Sequence, residues 1–420
     1  MKKTIQFDGY QLHLIPTQKF KNVTISLKLA SPLTKETSTI RTLLSFMLAG
    51  GTKKYPSTQL LSSYLEELYG AGFSSTIGSK GKAHIIHLFE TCVDQQYLTH
   101  KDNLLEKQIE LLHDIFFNPN AKEGKFNETV LKQKKQELKW RLQSLKDDKF
   151  SYSLEKMLEL MGKNQVLGIS TFGYEEEIDQ ITAKDLYNYF QKCIQEDIID
   201  IYVVGDIDEN IVEIFKRYLP FAKRDHLLET DLYFTSSRQD LLVEVEKQDI
   251  TQAKLNMGYE IQTKFSDLDH YAFTVFNGIF GGFAHSLLFK IVREMHSLCY
   301  SISSSYDAFN GIMIVNAGIE TKDYQKTVDL INEQLSRIQA GDFNDDLIEI
   351  TKMMLENSLI KSNDEAMNII ALRYNRDITH KEETNEQYIQ KLNAVSKEDI
   401  IRVSQKVKLN TIFLLARKED

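Results

Sequence analysis

Cysteine and proline are scarce in this chain, which has three cysteines and five prolines among 420 residues. Cys92, Cys193 and Cys299 are odd in number and far apart, a pattern that argues against a disulfide framework and is typical of reduced thiols in the cytosol. No run approaches the roughly 18 apolar residues that a membrane-spanning helix needs. The N-terminus begins with a basic pair but turns polar at Gln6 and Asp8, so no signal-peptide apolar region follows. The sequence therefore predicts a cytoplasmic protein.

An excess of positive charge is missing as well. The chain has 51 lysines and arginines against 60 aspartates and glutamates, a formal net charge of -9. Because phosphate recognition needs clustered basic residues, a nucleic-acid partner is not expected, and neither is a membrane. The hydrophobic fraction of 42% is that of a folded globular protein. At about 100–200 residues per domain, the length predicts two or three domains.

The two halves of the sequence repeat one design. The segment Ile181–Leu186 (ITAKDL) matches Val395–Ile400 (VSKEDI), and each has a hydroxyl N-cap followed three residues later by an acidic residue, which predicts a helix start. A segment typical of a β-strand follows in each copy, at Ile198–Val204 and Thr411–Leu415. Shared order over such a spacing indicates an internal duplication.

The order of elements within each copy predicts the fold. In each copy a strand leads to an amphipathic helix, then to strands punctuated by glycine or serine, and then to three helices and a final strand. A long polar helix is predicted after Phe126 in one copy and after Phe343 in the other. This order predicts an α+β fold with two homologous domains, each a largely antiparallel sheet packed with helices. The predicted domains are 1–219 and 241–420, joined by a linker at 220–240.

Two segments resemble the pitrilysin/insulinase zinc peptidases, a family that includes the mitochondrial processing peptidases. The segment Ser38–Tyr55 (STIRTLLSFMLAGGTKKY) is similar to the first helix of that family and the turn after it. The segment Gly281–Ser304 (GGFAHSLLFKIVREMHSLCYSISS) has a Gly-rich turn, Ser-x-Leu-Phe, Arg-Glu and a tyrosine seven residues after the arginine. Within the family, the chain resembles most the bacterial type associated with elongation factor P modification. The resemblance implies that the two domains form a clam-like chamber.

The metal motif of the family is absent. Active members carry His-x-x-Glu-His on the first helix, where residues four apart share a face and two imidazoles hold Zn²⁺. Alignment on Gly51-Thr52 places Thr42 and Phe46 at the histidine positions and Ser45 at the glutamate position. The third ligand, a glutamate in the family, falls at Val130. The first domain is therefore expected to have a degenerate zinc site, and the chain is expected to hold neither metal nor cofactor.

Other histidines and glycines do not replace this motif. His84 and His87 lie in an apolar, β-branched segment that predicts a strand, where residues three apart face opposite ways. They are interpreted as structural histidines. His285 and His296 lack a carboxylate at helical spacing, and Gly278–Gly282 (GIFGG) lacks the Lys-Ser/Thr of a phosphate loop.

The family's Arg/Tyr pair is retained as Arg293 and Tyr300. The resemblance implies that both reach from the C-terminal domain toward substrate near the zinc of the partner. There an arginine fork suits a peptide carbonyl and a tyrosine hydroxyl suits an oxyanion. The alternative is that Arg293 pairs with a surface carboxylate and Tyr300 packs in a strand. The apolar residues beside them are assigned to the core: Leu288, Phe289, Ile291 and Val292.

Lost zinc ligands beside a retained Arg/Tyr pair imply a division of labour. By resemblance to heterodimeric relatives, we expect a non-catalytic subunit of a zinc metallopeptidase whose homologous partner bears His-x-x-Glu-His and the zinc. The expected substrate is an unfolded peptide extended along a sheet edge. A homodimer is left open for conditions in which the partner is absent. Three alternatives also stay open: a non-proteolytic scaffold of a larger complex, a peptide-binding module, and an enzyme with a non-standard site.

Overall fold

The computed structural model describes residues 3–99, 102–223 and 240–418. The strands are β1 Lys3–Gln6, β2 Gln11–Pro16, β3 Asn22–Pro32, β4 Gly72–Lys80, β5 Ala83–Val93, β6 Ala121–Lys122, β7 Lys125–Phe126, β8 Ile198–Gly205, β9 Leu242–Gln248, β10 Ala253–Glu260, β11 Cys299–Asp307, β12 Ile312–Ile319 and β13 Lys408–Arg417.

Fourteen α-helices and two π-helical segments accompany these strands in the described part of the chain. The helices are α1 Lys35–Leu48, α2 Thr58–Glu67, α3 Leu104–Phe117, α4 Glu128–Asp147, α5 Lys149–Met161, α6 Glu175–Ile178, α7 Ala183–Glu196, α8 Ile211–Tyr218, α9 Asp269–Asn277, α10 Tyr324–Gln339, α11 Asp345–Ser362, α12 Ala366–Ile378, α13 Asn385–Asn393 and α14 Lys397–Ser404. The π-helical segments are Gly278–Gly282 and Leu288–Met295. Among the described residues, none of the helices is long and apolar enough to cross a bilayer.

The chain divides into two compact units, and each is discontinuous in sequence. The first unit consists of Met1–Ser144, Ile169–Asp231 and Asp364–Ala371. The second unit consists of Leu145–Gly168, Leu232–Asn363 and Leu372–Asp420. The division into domains at 1–219 and 241–420 stays a prediction, and most of the predicted linker at 220–240 lies outside the described residues.

The two main sheets have the same strand order. In the first unit the order is β1-β2-β8-β3-β5-β4, with only β2 and β8 parallel. In the second unit it is β9-β13-β10-β12-β11, with only β9 and β13 parallel. Each strand of the second sheet thus has a counterpart in the first, which adds β1 at one edge. The α+β class with largely antiparallel sheets and packed helices is confirmed.

Local sequence signals account for the helix starts. The Thr182 hydroxyl accepts a hydrogen bond from the Asp185 backbone N–H, and the Asp185 carboxylate accepts one from the Thr182 N–H. Ser396 and Asp399 form the same capping box at the start of α14. Each box satisfies two backbone donors and stabilises its helix by about 1 kcal/mol. Both predicted helix starts are therefore confirmed.

Helix α5 covers one face of the second sheet, although it comes from the first half of the chain. Its Met157 side chain packs so closely on Gly258 of β10 that a Cβ atom there would lie 2.6 Å from the sulfur. The Asn256 Nδ2 donates to the Ser153 hydroxyl at 2.9 Å. Met157 and Met161 are buried together with Phe413. The central strands of the second sheet are thus buried on both faces, against α5 on one and mainly against α9, α10 and α14 on the other.

Candidate functional site

The residues at the three metal positions of α1 do not fit a zinc ion. The Thr42 hydroxyl is buried and donates to the carbonyl oxygens of Ser38 at 2.9 Å and Thr171 at 3.2 Å. Ser45 is wholly buried, and Phe46 offers no ligand atom. Zn²⁺ needs imidazole, thiolate or carboxylate ligands in a tetrahedral set. Among the described residues, no group of three or more such side chains is placed to hold a metal ion.

The position of the third ligand is also occupied by other interactions. Val130 is buried in α4, and a Cβ atom on Gly50 would lie 2.9 Å from its Cγ1. Glu137, a carboxylate seven residues later on the same helix, accepts from Lys134 Nζ at 2.9 Å. The loss of zinc-binding chemistry therefore extends over α1 and α4, and no reaction step can be assigned to a metal held by this chain.

His84 and His87 project to opposite faces of β5, as their spacing predicted. His84 Nε2 donates to the Thr171 carbonyl at 3.0 Å, and His87 Nε2 hydrogen-bonds the Ser26 hydroxyl at 2.8 Å. Burial lowers the pKa of both imidazoles to about 3, assisted by the charge of Arg41 at His84 and of Lys28 at His87. Both rings are therefore neutral, and the interpretation as structural histidines is confirmed.

Arg293 lies near the C-terminal end of the π-helical segment Leu288–Met295. Its guanidinium carbon is 4.3 Å from the ring centroid of Phe289, one turn earlier. Among the described residues, no carboxylate forms an ion pair with it, and the side chain is half-buried. The wider π-helical turn is closed by His296 N–H, which donates to the Ile291 carbonyl at 3.0 Å. π-Helical turns are rare in proteins, and those that do occur are often found at functional sites.

Tyr300 stands on β11, the edge strand of the second sheet, and is 80% exposed. The register with β12 shifts at this residue, because Cys299 is opposite Ile319 and Ser301 is opposite Gly318. Tyr300 is thus the extra residue of a β-bulge, which re-aims a side chain. Tyr300 and the next residue are both exposed, whereas the alternation of buried and exposed residues resumes at Ile302.

A left-handed residue joins the helix to the strand. Ser297 has φ 52°, a conformation that costs a non-glycine residue about 1–2 kcal/mol. The end of the π-helical segment, Ser297 and the bulge all lie within the eight residues from Arg293 to Tyr300. Unfavourable backbone of this kind persists only where the surroundings enforce it, and it clusters at functional sites.

The Gly-rich segment Gly278–Gly282 packs closely against β11. A Cβ atom on Gly281 would lie 2.7 Å from the Ser304 hydroxyl and 2.8 Å from its backbone nitrogen. The Ser304 hydroxyl also donates to Asn277 Oδ1 at 2.8 Å. A side chain at Gly281 would push the edge strand away, so glycine is needed here for close approach.

The groups at this site are of kinds that suit a peptide ligand, and in the part of the chain that the structure describes no cluster of metal-ligand side chains is present. The outer edge of β11 has backbone groups to which an extended chain can add. An arginine that stacks on a ring uses the face of its guanidinium, so the N–H donors in the plane of that group stay available. A phenol hydroxyl can donate to an oxyanion. The structure thus places Arg293 and Tyr300 on adjoining elements of one unit, and no hydrogen bond links the two in the described residues.

Sequence reasoning missed part of this site. Leu288 and Val292 are wholly buried, as predicted, and Ile291 is half-buried against the same core. Phe289 is only half-buried, and the guanidinium lies over its ring. The signal that could have found this contact is the spacing of four between Phe289 and Arg293 on a helix. The bulge at Tyr300 depends on the register with β12, which no local pattern specifies.

Comparison with known proteins finds one family and three similar proteins. Residues 180–355 match the family described as the peptidase M16 inactive domain. A Bacillus subtilis (strain 168) protein named probable inactive metalloprotease YmfF is 36% identical over 412 residues, covering 98% of this chain and 96% of that protein. The crystal structure of a conserved protein from Enterococcus faecalis V583 has a TM-score of 0.93 and 34% identity, and covers 100% of this chain and 99% of the other. A peptidase M16 inactive domain from Pseudomonas fluorescens has a TM-score of 0.82 at 14% identity, covering 100% and 98%, and shows likeness of fold alone.

Proposed function

The chain belongs to the M16 peptidase inactive-domain family, and from this premise we propose that it is the non-catalytic subunit of a heterodimeric zinc metallopeptidase. A homologous partner with an intact His-x-x-Glu-His helix supplies the zinc and the general base. The present chain supplies Arg293 and Tyr300 in trans, together with part of the wall around the substrate.

One combination of features supports the proposal: the zinc-ligand positions of α1 carry no ligand, while the residues proposed to bind substrate lie in an unusual backbone setting. In α1 a buried hydroxyl and an apolar ring replace the two histidines. In the second unit, Tyr300 is exposed on a bulged edge strand and Arg293 has no carboxylate partner among the described residues. A left-handed serine and a β-bulge lie between these two residues or at them. Strained backbone of this kind clusters at functional sites, which supports a role for these positions.

The proposed substrate is an unfolded peptide that adds to β11 by main-chain hydrogen bonds. Arg293 then donates to a peptide carbonyl, which fixes the register of the substrate. The Tyr300 hydroxyl donates to the oxygen that gains negative charge as the carbonyl is attacked. Every other step belongs to the partner chain.

The proposed compartment is the cytoplasm. All three cysteines are free and buried, and burial raises the pKa of the thiols of Cys92 and Cys193 to about 12 and that of Cys299 to about 11. Thiols of this kind suit a reducing compartment. The resemblance to the type associated with elongation factor P modification suggests a setting for the complex. A deletion strain should then change the modified fraction of that factor, measured by mass spectrometry.

The test is a gentle purification of the chain from native cytosol, with identification of every protein present in stoichiometric amount. The expected companion is a chain of similar size with His-x-x-Glu-His, and the complex is expected to cleave peptides. A large complex without such a chain would favour a non-proteolytic scaffold. Peptide affinity of the chain alone, with no companion, would favour a binding module.

A further inference from the structure

Phe289 and Arg293 form a stacked pair on the outer side of the π-helical segment. The guanidinium carbon lies 4.3 Å from the ring centroid, well within the distance of about 6 Å at which a cation is attracted by an aromatic face. Both side chains are half-buried, whereas Leu288 and Val292 on the same segment are wholly buried. Phe289 is therefore placed at the border of the core, with its ring turned to the arginine.

An aromatic partner leaves an arginine in a different state from a carboxylate partner. A bidentate carboxylate uses the N–H donors on one side of the guanidinium. A ring face attracts the plane of the group and uses none of them. Among the described residues Arg293 has a ring partner and no ion pair, so its donors are available for a ligand while its rotamer is restrained.

The restraint also holds Arg293 near the strand that presents Tyr300. The π-helical segment that carries Arg293 packs directly against β11, whose first residue is Cys299. Cys299 directly precedes Tyr300. An arginine without the ring beneath it would sample many rotamers in solvent, at an entropic cost when it binds.

We infer that Phe289 is a positioning residue for peptide binding, which holds the Arg293 guanidinium toward β11 with its donors free. The inference rests on the proposed function, since it concerns the same Arg/Tyr site. It assigns a role in substrate binding to a residue that its sequence context indicates to be core.

The experiment measures peptide cleavage by the complex isolated with its partner, with a fluorogenic peptide that the wild-type complex cleaves. Phe289→Leu keeps an apolar side chain and removes the ring. We expect KM to rise about three- to tenfold with kcat unchanged, because the lost restraint weakens binding equally before and during reaction. Phe289→Tyr keeps the ring face, and its KM should lie within about twofold of the wild-type value.

A double-mutant cycle separates positioning from simple packing. In an Arg293→Ala background, Phe289→Leu should have no further effect on kcat/KM, since the group that it positions is gone. Phe172→Leu is the matched control, because Phe172 stacks under Arg141 at 5.6 Å in the first unit. Its KM should stay at the wild-type value.

Two outcomes would overturn the inference. One is an equal loss of kcat/KM from Phe289→Leu in both backgrounds, which would make Phe289 a packing residue. The other is a wild-type KM for Phe289→Leu when Arg293→Ala lowers kcat/KM, which would leave the proposed function intact. If Arg293→Ala itself changes nothing, the proposed function fails. Thermal unfolding of each variant checks that it folds. If Phe289→Leu does not fold, Phe289→Tyr is compared with wild type instead.

Discussion

The Nη2 atom of Arg41 lies 2.6 Å from Oδ2 of Asp197, in an ion pair whose side chains are 0% and 4% exposed. The same nitrogen donates to the Leu29 carbonyl at 2.7 Å, and Nη1 donates to Cys193 Sγ at 3.3 Å. This buried pair ties α1 to β3 and α7. A fixed positive charge therefore stands on the helix that carries zinc in active relatives, next to the position of the first lost histidine.

Removal of one partner of this pair should destabilise the first unit strongly. In Asp197→Ala the guanidinium stays buried without its counter-ion, and we expect a loss of about 3–5 kcal/mol in the free energy of unfolding. Urea denaturation measures it. Arg41→Met combined with Asp197→Leu should recover most of the loss, and Arg217→Ala, in an exposed pair with Glu106, should cost less than about 1 kcal/mol. A small effect of Asp197→Ala would contradict the role of the pair.

Tyr300→Phe should reduce turnover without a change in folding. The ring stays on the bulge while the hydroxyl that we propose for the oxyanion is lost. Removal of one such donor costs about 10²–10³ in kcat where it is fully engaged, so we expect a fall of at least about tenfold with KM little changed. Steady-state kinetics of the complex provide the test. Tyr97→Phe, an exposed tyrosine in the first unit, should retain wild-type kcat, and an unchanged kcat for Tyr300→Phe would favour a scaffold.

Ser297→Gly should stabilise the second unit. Glycine adopts φ 52° without the steric cost that serine bears. After the greater entropy of glycine in the unfolded chain is subtracted, we expect a gain of about 0.5–1 kcal/mol. The same substitution at Ser301, in extended β11, should instead cost about 0.5–1 kcal/mol. Opposite signs in two denaturation curves would support the strain, and equal signs would refute it.

The purified chain is expected to contain no stoichiometric zinc. Thr42, Ser45 and Val130 have no ligand chemistry suited to the ion. Elemental analysis after dialysis against zinc measures the bound metal. One zinc ion per chain, retained in the presence of a weak chelator, would show that the chain has a metal site of another kind.

Much of the fold could be predicted because its signals are local. The capping boxes at Thr182 and Ser396 begin helices as soon as the chain places a hydroxyl before an acidic third residue. The repeated order of such signals predicted the duplication, and the strand orders of the two sheets agree with it. The substitutions at Thr42 and Phe46 were visible because a metal motif has fixed spacing.

The rest could not be predicted because it depends on distant contacts. The apolar face of α5 indicates that it is buried, yet nothing in it indicates that Met157 packs on Gly258, 101 residues later in the sequence. The bulge at Tyr300 follows from pairing with β12. A buried partner for Arg41 lies 156 residues away. Each of these features is set by tertiary packing, which overrides local pattern.

Glu90 is a further residue whose environment is set by tertiary packing, because its carboxyl lies in the core of the first unit. It lies on β5 opposite Ile25 of β3 and Phe73 of β4, and it is 1% exposed. Neither carboxyl oxygen has a hydrogen-bond partner among the described residues. Burial raises the pKa of this carboxyl well above its usual value, so the folded chain keeps the proton to a higher pH than the unfolded chain does.

The stability of the first unit should therefore fall as pH rises. Below about pH 4, Glu90 is protonated in both states; above it, the unfolded chain ionises while the folded chain does not. This lowers the free energy of unfolding by up to about 1.4 kcal/mol per pH unit until the folded pKa is reached. Glu90→Gln lacks this loss, so its advantage over wild type in urea denaturation should grow as the pH rises from about 5 toward the folded pKa of Glu90. Glu67→Gln, at an exposed position, controls for the lost charge. A difference between Glu90→Gln and wild type that stays constant with pH would mean that Glu90 ionises equally in both states.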